Sequence, residues 1–193
     1  MQIKSFKKLL ALTLGEILIA LTIIGIVYAL VVPVLKNQTD HVQMAGMLKK
    51  SYTVLNQAID ASLARDKEDS IKNWSFTQAS MSKRFAKHLS VQKTCAADSS
   101  DCFASSYRQF DSNKTADYNG VESFILSDGV AFQVSSCASD VCTFTFDLNA
   151  SKAPNFVGYD LFQFTFAKSD SVVQGEGYAK TVMDNGWVID YWD

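Results

Sequence analysis

The chain has 193 residues, with 18 basic and 20 acidic side chains, a net charge of −2 and 48% hydrophobic residues. It has no cluster of Lys and Arg of the kind a nucleic-acid surface needs, and with 12% aromatics it is not a disordered tail. Setting aside one long apolar run leaves about 155 residues, enough for one domain with a real core and too few for two.

That run, residues 9–35, follows Lys4, Lys7 and Lys8 and contains one charge, Glu16. About 20 apolar residues suffice for a helix to cross a bilayer. A lone carboxylate inside such a run costs roughly 2.5–3.5 kcal/mol on insertion, so Glu16 calls for a partner. The lysines lie before the run and Lys36 alone stands close behind it. The positive-inside bias therefore places the N-terminus in the cytoplasm and the rest outside. The run is far longer than the apolar core of a cleaved secretory signal.

From Leu12 the pattern is continuously helical, and Pro33 predicts a kink or a loosened turn. Asn37, Gln38, Thr39 and Asp40 mark the exit from the membrane. Beyond it Met44, Leu48, Tyr52, Leu55, Ile59 and Leu63 recur at spacings of three and four. That is an apolar stripe on a polar helix, which must lie against a folded domain. A helix over residues 12–64 would be about 80 Å long at the ordinary rise. Residues 65–70 read as a charged loop, and a second helix is predicted over 76–89, with Met81, Phe85 and Leu89 on one face. Residues 95–119, rich in Ser, Asp and Asn, read as a long loop pinned by a disulfide.

After Val121 the period changes to two. Phe124-Ile125-Leu126 and the strand from Val130 to Val134 flank an Asp128-Gly129 turn, a hairpin signal. Thr143 to Phe146 reads as a further strand. In residues 161–166 Phe162, Phe164 and Phe166 share one face, predicted to meet the stripe of Tyr52, Leu55 and Ile59. Residues 187–192 form a last strand or a tail folded back on the domain.

The four cysteines, Cys95, Cys102, Cys137 and Cys142, form no CxxC, and His41 and His88 lie far from them in sequence. Two disulfides in an oxidising compartment suit this pattern better than zinc. Three connectivities are open, and the two local pairs are preferred.

The stretch Ala-Leu-Thr-Leu-Gly-Glu (residues 11–16), continuing as apolar helix after a lysine leader, resembles the N-terminus of type IV pilins and type II secretion pseudopilins. The resemblance implies a leader, residues 1–11, cut between Ala11 and Leu12 by a prepilin peptidase that also N-methylates the new amine. Thr13 and Leu14 match the family pattern, Glu16 takes the fifth mature position, and Pro33 falls where members often carry proline. Ala11 stands in place of the usual Gly, Leu12 in place of Phe, and Gly15 where an aliphatic is common. The implied fold is α+β and pilin-like: a long N-terminal helix packed against an antiparallel sheet. Residues 12–35 form its membrane and assembly half, and residues 36–193 the extracytoplasmic domain.

The implied role is a structural subunit of a pilus or secretion pseudopilus. It is held in the bacterial inner membrane as a single-pass protein and handed by an assembly platform into a filament of like subunits. Thr13, Glu16 and Pro33 are the assembly residues, with Glu16 facing a neighbour's N-terminal amine. Opposite charges buried together attract strongly, while either alone is penalised. Snorkelling of Glu16 to the lipid headgroups is the plainer alternative.

Asp147, Asn149, Asn155 and Asp160, with Pro154 and Gly158, make an oxygen-rich loop between two Phe-rich strands. Calcium takes about six to eight oxygens from flexible loops, and some pseudopilins bind calcium in a C-terminal loop. An ordinary Asx-capped turn is the competing reading. No GxSxG, HExxH or phosphate-binding loop is present, so no enzyme is expected. The competing function is an uncleaved membrane-anchored protein with an external ligand-binding domain.

Overall fold

A computed structural model describes residues 13–65, 70–97, 99–109, 112–118, 120–170 and 172–191, with the backbone alone at 33–39 and 112–114. The chain divides into two compact units, Met1–Asp40 and His41–Asp193. One helix, α1, runs Leu14–Arg65. Its first part, Leu14–Val32, has mean hydropathy 2.4 and none of it is buried among the described residues. It is therefore long and apolar enough to cross a membrane as a single pass. The helical backbone runs through Pro33 without ending there.

In the second unit α1 becomes amphipathic. Leu48, Leu55, Ala58 and Ile59 are fully buried, while Lys49, Lys50, Gln57 and Asp60 face outward. A short 3-10 turn, Ile71–Asn73, leads to helix α2, Gln78–His88. Thr77 caps α2 by accepting the Ser80 N–H at 3.3 Å. Met81 and Phe85 on its inner face join the core.

Among the described residues nine strands follow: β1 Val91–Cys95, β2 Tyr107–Gln109, β3 Ser112–Ala116, β4 Ser123–Leu126, β5 Ala131–Ala138, β6 Val141–Asp147, β7 Phe156–Val157, β8 Leu161–Ala167 and β9 Gln174–Glu176. They form one sheet in the order β1-β4-β5-β6-β8-β7-β2-β3, with β9 beside β8. Helix α3, Tyr178–Asp184, closes the chain before a tail.

The register of the central strands explains the phenylalanines. Phe124 pairs with Phe132, Phe132 with Phe146 and Phe146 with Phe162, giving one row across four strands. Val134, Phe144 and Phe164 make the next row. Side chains alternate along each strand, so both rows fall on the face toward α1 and α2. Tyr52 meets Phe164 with ring centroids 5.8 Å apart, and Phe85 meets Phe144 at 4.8 Å. Burying each such ring stabilises the fold by about 1.5–3 kcal/mol.

Two turns set the strand pairing. Gly129 takes φ +87°, which the β4–β5 turn requires, and Asp128 accepts the Val130 N–H and pairs with Lys50 of α1 at 2.8 Å. At the β5–β6 end Ser139 and Asp140 both have positive φ, 51° and 60°, the geometry of a two-residue primed hairpin without the usual glycine. Cys137 and Cys142 sit opposite each other beside that turn and are joined by a disulfide; Cys95 and Cys102 form the second.

Two expectations need correction. The sheet is mixed: β7 pairs parallel with both β2 and β8. The cause is local, since β7 is a two-residue extended piece of the β6–β8 connection that has β2 on its far side, and no strand alternation reveals it. The stretch 95–119 is not all loop, because β2 and β3 form a hairpin within it. Of the two forms expected for the C-terminal residues, the described ones, 187–191, take the tail and make no strand. They fold back with Trp187 at φ +67° and Ile189 buried, and Tyr191 donates its hydroxyl to the Gly158 carbonyl at 2.6 Å.

Replacing Phe144 by Ala should cost about 3–5 kcal/mol of stability in chemical denaturation, from lost burial plus the cavity left between β5, β6 and α2. The exposed Val141→Ala on the same strand should stay within about 0.5 kcal/mol of wild type.

Candidate functional site

Two places gather the residues singled out in the sequence. The first is the start of α1. Thr13 Oγ1 accepts the Glu16 N–H at 3.2 Å, and Glu16 Oε2 accepts the Thr13 backbone N–H at 2.8 Å and its hydroxyl at 2.9 Å. This is a capping box, in which residues three apart satisfy each other's otherwise orphaned donors. Glu16 therefore has a local role the sequence reading overlooked, although Thr-x-x-Glu before an apolar run is its signature. Oε2 carries these contacts, and Oε1 has no partner among the described residues. Ala11 and Leu12 lie outside the described residues, and so does the Pro33 side chain.

The second place is the connection from β6 to β8. Asp147 ends β6 and Asp160 precedes β8; both are fully buried. Asp147 Oδ1 accepts the Asn149 N–H at 3.1 Å, while Oδ2 accepts the Tyr107 hydroxyl in a short hydrogen bond. Tyr107 Oη in turn accepts the Ala104 N–H at 2.9 Å. Asp160 Oδ1 accepts the Phe156 N–H at 2.8 Å, and its backbone carbonyl accepts the Leu148 N–H at 2.8 Å. The Asn149 amide lies against the Asp160 carboxyl. Gly158 takes φ +91° in the turn that follows Phe156, and a Cβ there would collide with the Tyr178 ring at 2.6 Å.

Three side-chain oxygens in this loop are buried without a hydrogen-bond partner: Asn149 Oδ1, Asn155 Oδ1 and Asp160 Oδ2. Burial pushes Asp147 up to about 8, and the nearby Asp160 charge adds to the rise while the Tyr107 hydroxyl opposes it. Burial likewise pushes Asp160 up to about 7, against the N–H groups of Phe156, Asp160 and Leu161. The Tyr107 phenol is held protonated by burial and by Asp147.

The structure thus brings Asp147, Asn149, Asn155 and Asp160 into one loop. Among the described residues no three of His, Cys, Asp and Glu stand together. The donor set is two carboxylates and two amides, all oxygen, which suits a hard cation and offers nothing to a soft one. His41 rests edge-on to Tyr159 at 5.7 Å. Tyr107, which sequence reasoning passed over, is the residue that ties Asp147 to the outer face, and nothing in its local sequence signals that contact.

Without divalent cations the two acids make stability depend on pH. Folded, they hold protons up to about pH 7–8; unfolded, they lose them near pH 4. Stability is then highest below about pH 4 on their account and falls as pH rises through 7 and 8. Thermal unfolding in chelator at pH 5.5 and pH 8.5 should show the lower midpoint at pH 8.5, and Asp160→Asn should flatten that difference.

No protein-family model, no curated protein and no solved structure matches the chain.

Proposed function

We propose that the chain is a filament subunit of the type IV pilus or type II pseudopilus kind. In this reading Leu14–Val32 anchors it in the bacterial inner membrane, and prepilin peptidase removes residues 1–11 and methylates Leu12. The assembly platform then packs the apolar helix against those of like subunits. Nucleic acid and catalysis have no part in it. The observation that carries the reading is the capping box of Thr13 and Glu16 at the head of an apolar helical stretch of which none is buried among the described residues.

The chemistry at Glu16 is consistent with this role. One carboxylate oxygen holds the helix start, and the other, without a partner among the described residues, can take a further donor. A methylated amine from a neighbouring subunit would supply that donor, and a charged pair in a low-dielectric environment would penalise any register that leaves either group alone.

Glu16→Gln separates the two roles, because an amide oxygen can still accept the Thr13 N–H while the charge is gone. Both Glu16→Gln and Glu16→Ala should insert in membranes at wild-type levels, and both should fall at least tenfold in recovery from sheared filaments. If Glu16→Gln incorporates like wild type, the cap is what Glu16 contributes and charge pairing is wrong.

A further inference from the structure

The C-terminal tail turns back onto α1 through two successive left-handed residues. Gly186 takes φ +72° and Trp187 φ +67°, and the Trp187 N–H is donated to the Val182 carbonyl at 2.7 Å. That conformation is easy for glycine and costly for a residue as bulky as tryptophan. A strained position kept at such a side chain points to a use for where the ring sits. The Trp187 ring packs on Tyr52 with centroids 5.4 Å apart, and the Lys49 ammonium lies 6.0 Å from its centre.

Between the tail and α1 runs a groove of about 360 Å³. Ala45 and Ile189 line it and are buried. Among the described residues of the second unit four large hydrophobics are exposed, and two of them, Val42 at 74% and Val188 at 51%, line this groove. Single exposed valines need no explanation, but two on one groove beside an aromatic ring and a cation mark an interaction surface. Lys49 forms no ion pair among the described residues, whereas Lys50, the next residue, holds Asp128 at 2.8 Å.

The tether identifies the occupant. Pro33, Val34 and Leu35 extend the apolar run beyond Val32, and Val42 follows Leu35 within the same helix. Seven residues of helix rise about 10 Å. The polar headgroup layer reaches roughly 5–8 Å beyond the hydrocarbon core, and a tilted helix brings one flank lower still. Once Leu14–Val32 is in a bilayer, the start of this groove is held close to the headgroups. Tryptophan is enriched at that boundary, and a lysine there lays its apolar stem along the surface with its charge free for a phosphate.

We propose that the groove between residues 41–49 and the tail rests on the phospholipid headgroup layer of the bilayer that holds the apolar stretch. Val42, Trp187 and Val188 enter the boundary between headgroup and acyl chain, and Lys49 meets a lipid phosphate. The contact selects which flank of the second unit faces the membrane. An uncleaved, membrane-anchored chain would lie on lipid in the same way, so the contact is independent of filament assembly.

The test uses the full chain, one copy per lipid nanodisc of phosphatidylethanolamine and phosphatidylglycerol, with a small fraction of phospholipid carrying a photoreactive headgroup. After cross-linking, peptide mass analysis should find lipid adducts on residues 41–49 and 186–189, at least tenfold above those on α2 and β5. Val42→Asp combined with Val188→Asp should cut the groove adducts at least fivefold. Adducts flanking Leu14–Val32 and the thermal midpoint should stay unchanged, because both valines are exposed. Lys49→Gln should lower the groove adducts at least twofold, and Lys49→Arg should keep them. Groove adducts no more frequent than those on α2, or unmoved by the double aspartate variant, would overturn the proposal. Chain-to-chain cross-links through the groove in discs holding two copies, with the lipid adducts lost, would assign the groove to a second copy instead.

Discussion

The structure depends first on an apolar surface that it does not bury. Leu14–Val32 contributes leucines, isoleucines and valines along a helical stretch of which none is buried among the described residues. At about 1.5–3 kcal/mol for each large side chain kept from water, such a surface cannot stay in solvent. Lipid tails or other apolar helices must cover it. The two are close to equivalent as solvents, so moving the helix from one to the other is governed by packing and by the few polar groups it carries. Thr13 and Glu16 are such groups, which is why their geometry matters more than their number.

The second half of the same helix obeys a different rule. From His41 onward polar faces appear, and the apolar stripe has a definite partner in the phenylalanine rows of β4, β5, β6 and β8. The rows arise from two regularities acting together, the alternation within each strand and a register that aligns the strands phenylalanine to phenylalanine. The Cys137–Cys142 disulfide and the Ser139-Asp140 turn secure that register at one end of the β5–β6 hairpin, and the Asp128-Gly129 turn secures β4 against β5. The inner face of the sheet is thus specified locally as well as by packing.

That difference explains what could be read in the chain without coordinates. The long helix, its change of character, the second helix and the Phe-rich strands are periodic signals, and the structure has them near the expected residues. The outer face is another matter. β2 and β7 are three and two residues long, too short for any period, and their parallel pairing joins Arg108 to Phe156 across the chain. β9 contains Gly175 and α3 starts after Gly177, and both depend on tertiary contact with β8. The Asp147–Tyr107 contact likewise spans forty residues. At the candidate sites the oxygen-rich loop was visible by composition, whereas the burial of Asn149 Oδ1, Asn155 Oδ1 and Asp160 Oδ2 without a hydrogen-bond partner among the described residues is a consequence of folding that composition does not encode. At Glu16 the reverse holds: the capping box was written in the sequence, and the apolar surroundings drew attention away from it.

The central claim is that the apolar helix is an assembly element exposed by processing, and the most direct measurement is the mass of the mature N-terminus. Intact-mass and N-terminal peptide analysis of the protein recovered from membranes should find a chain beginning at Leu12 with a methylated amine. A chain still carrying Met1 and the lysine leader, or one cut beyond Tyr28, would contradict the account.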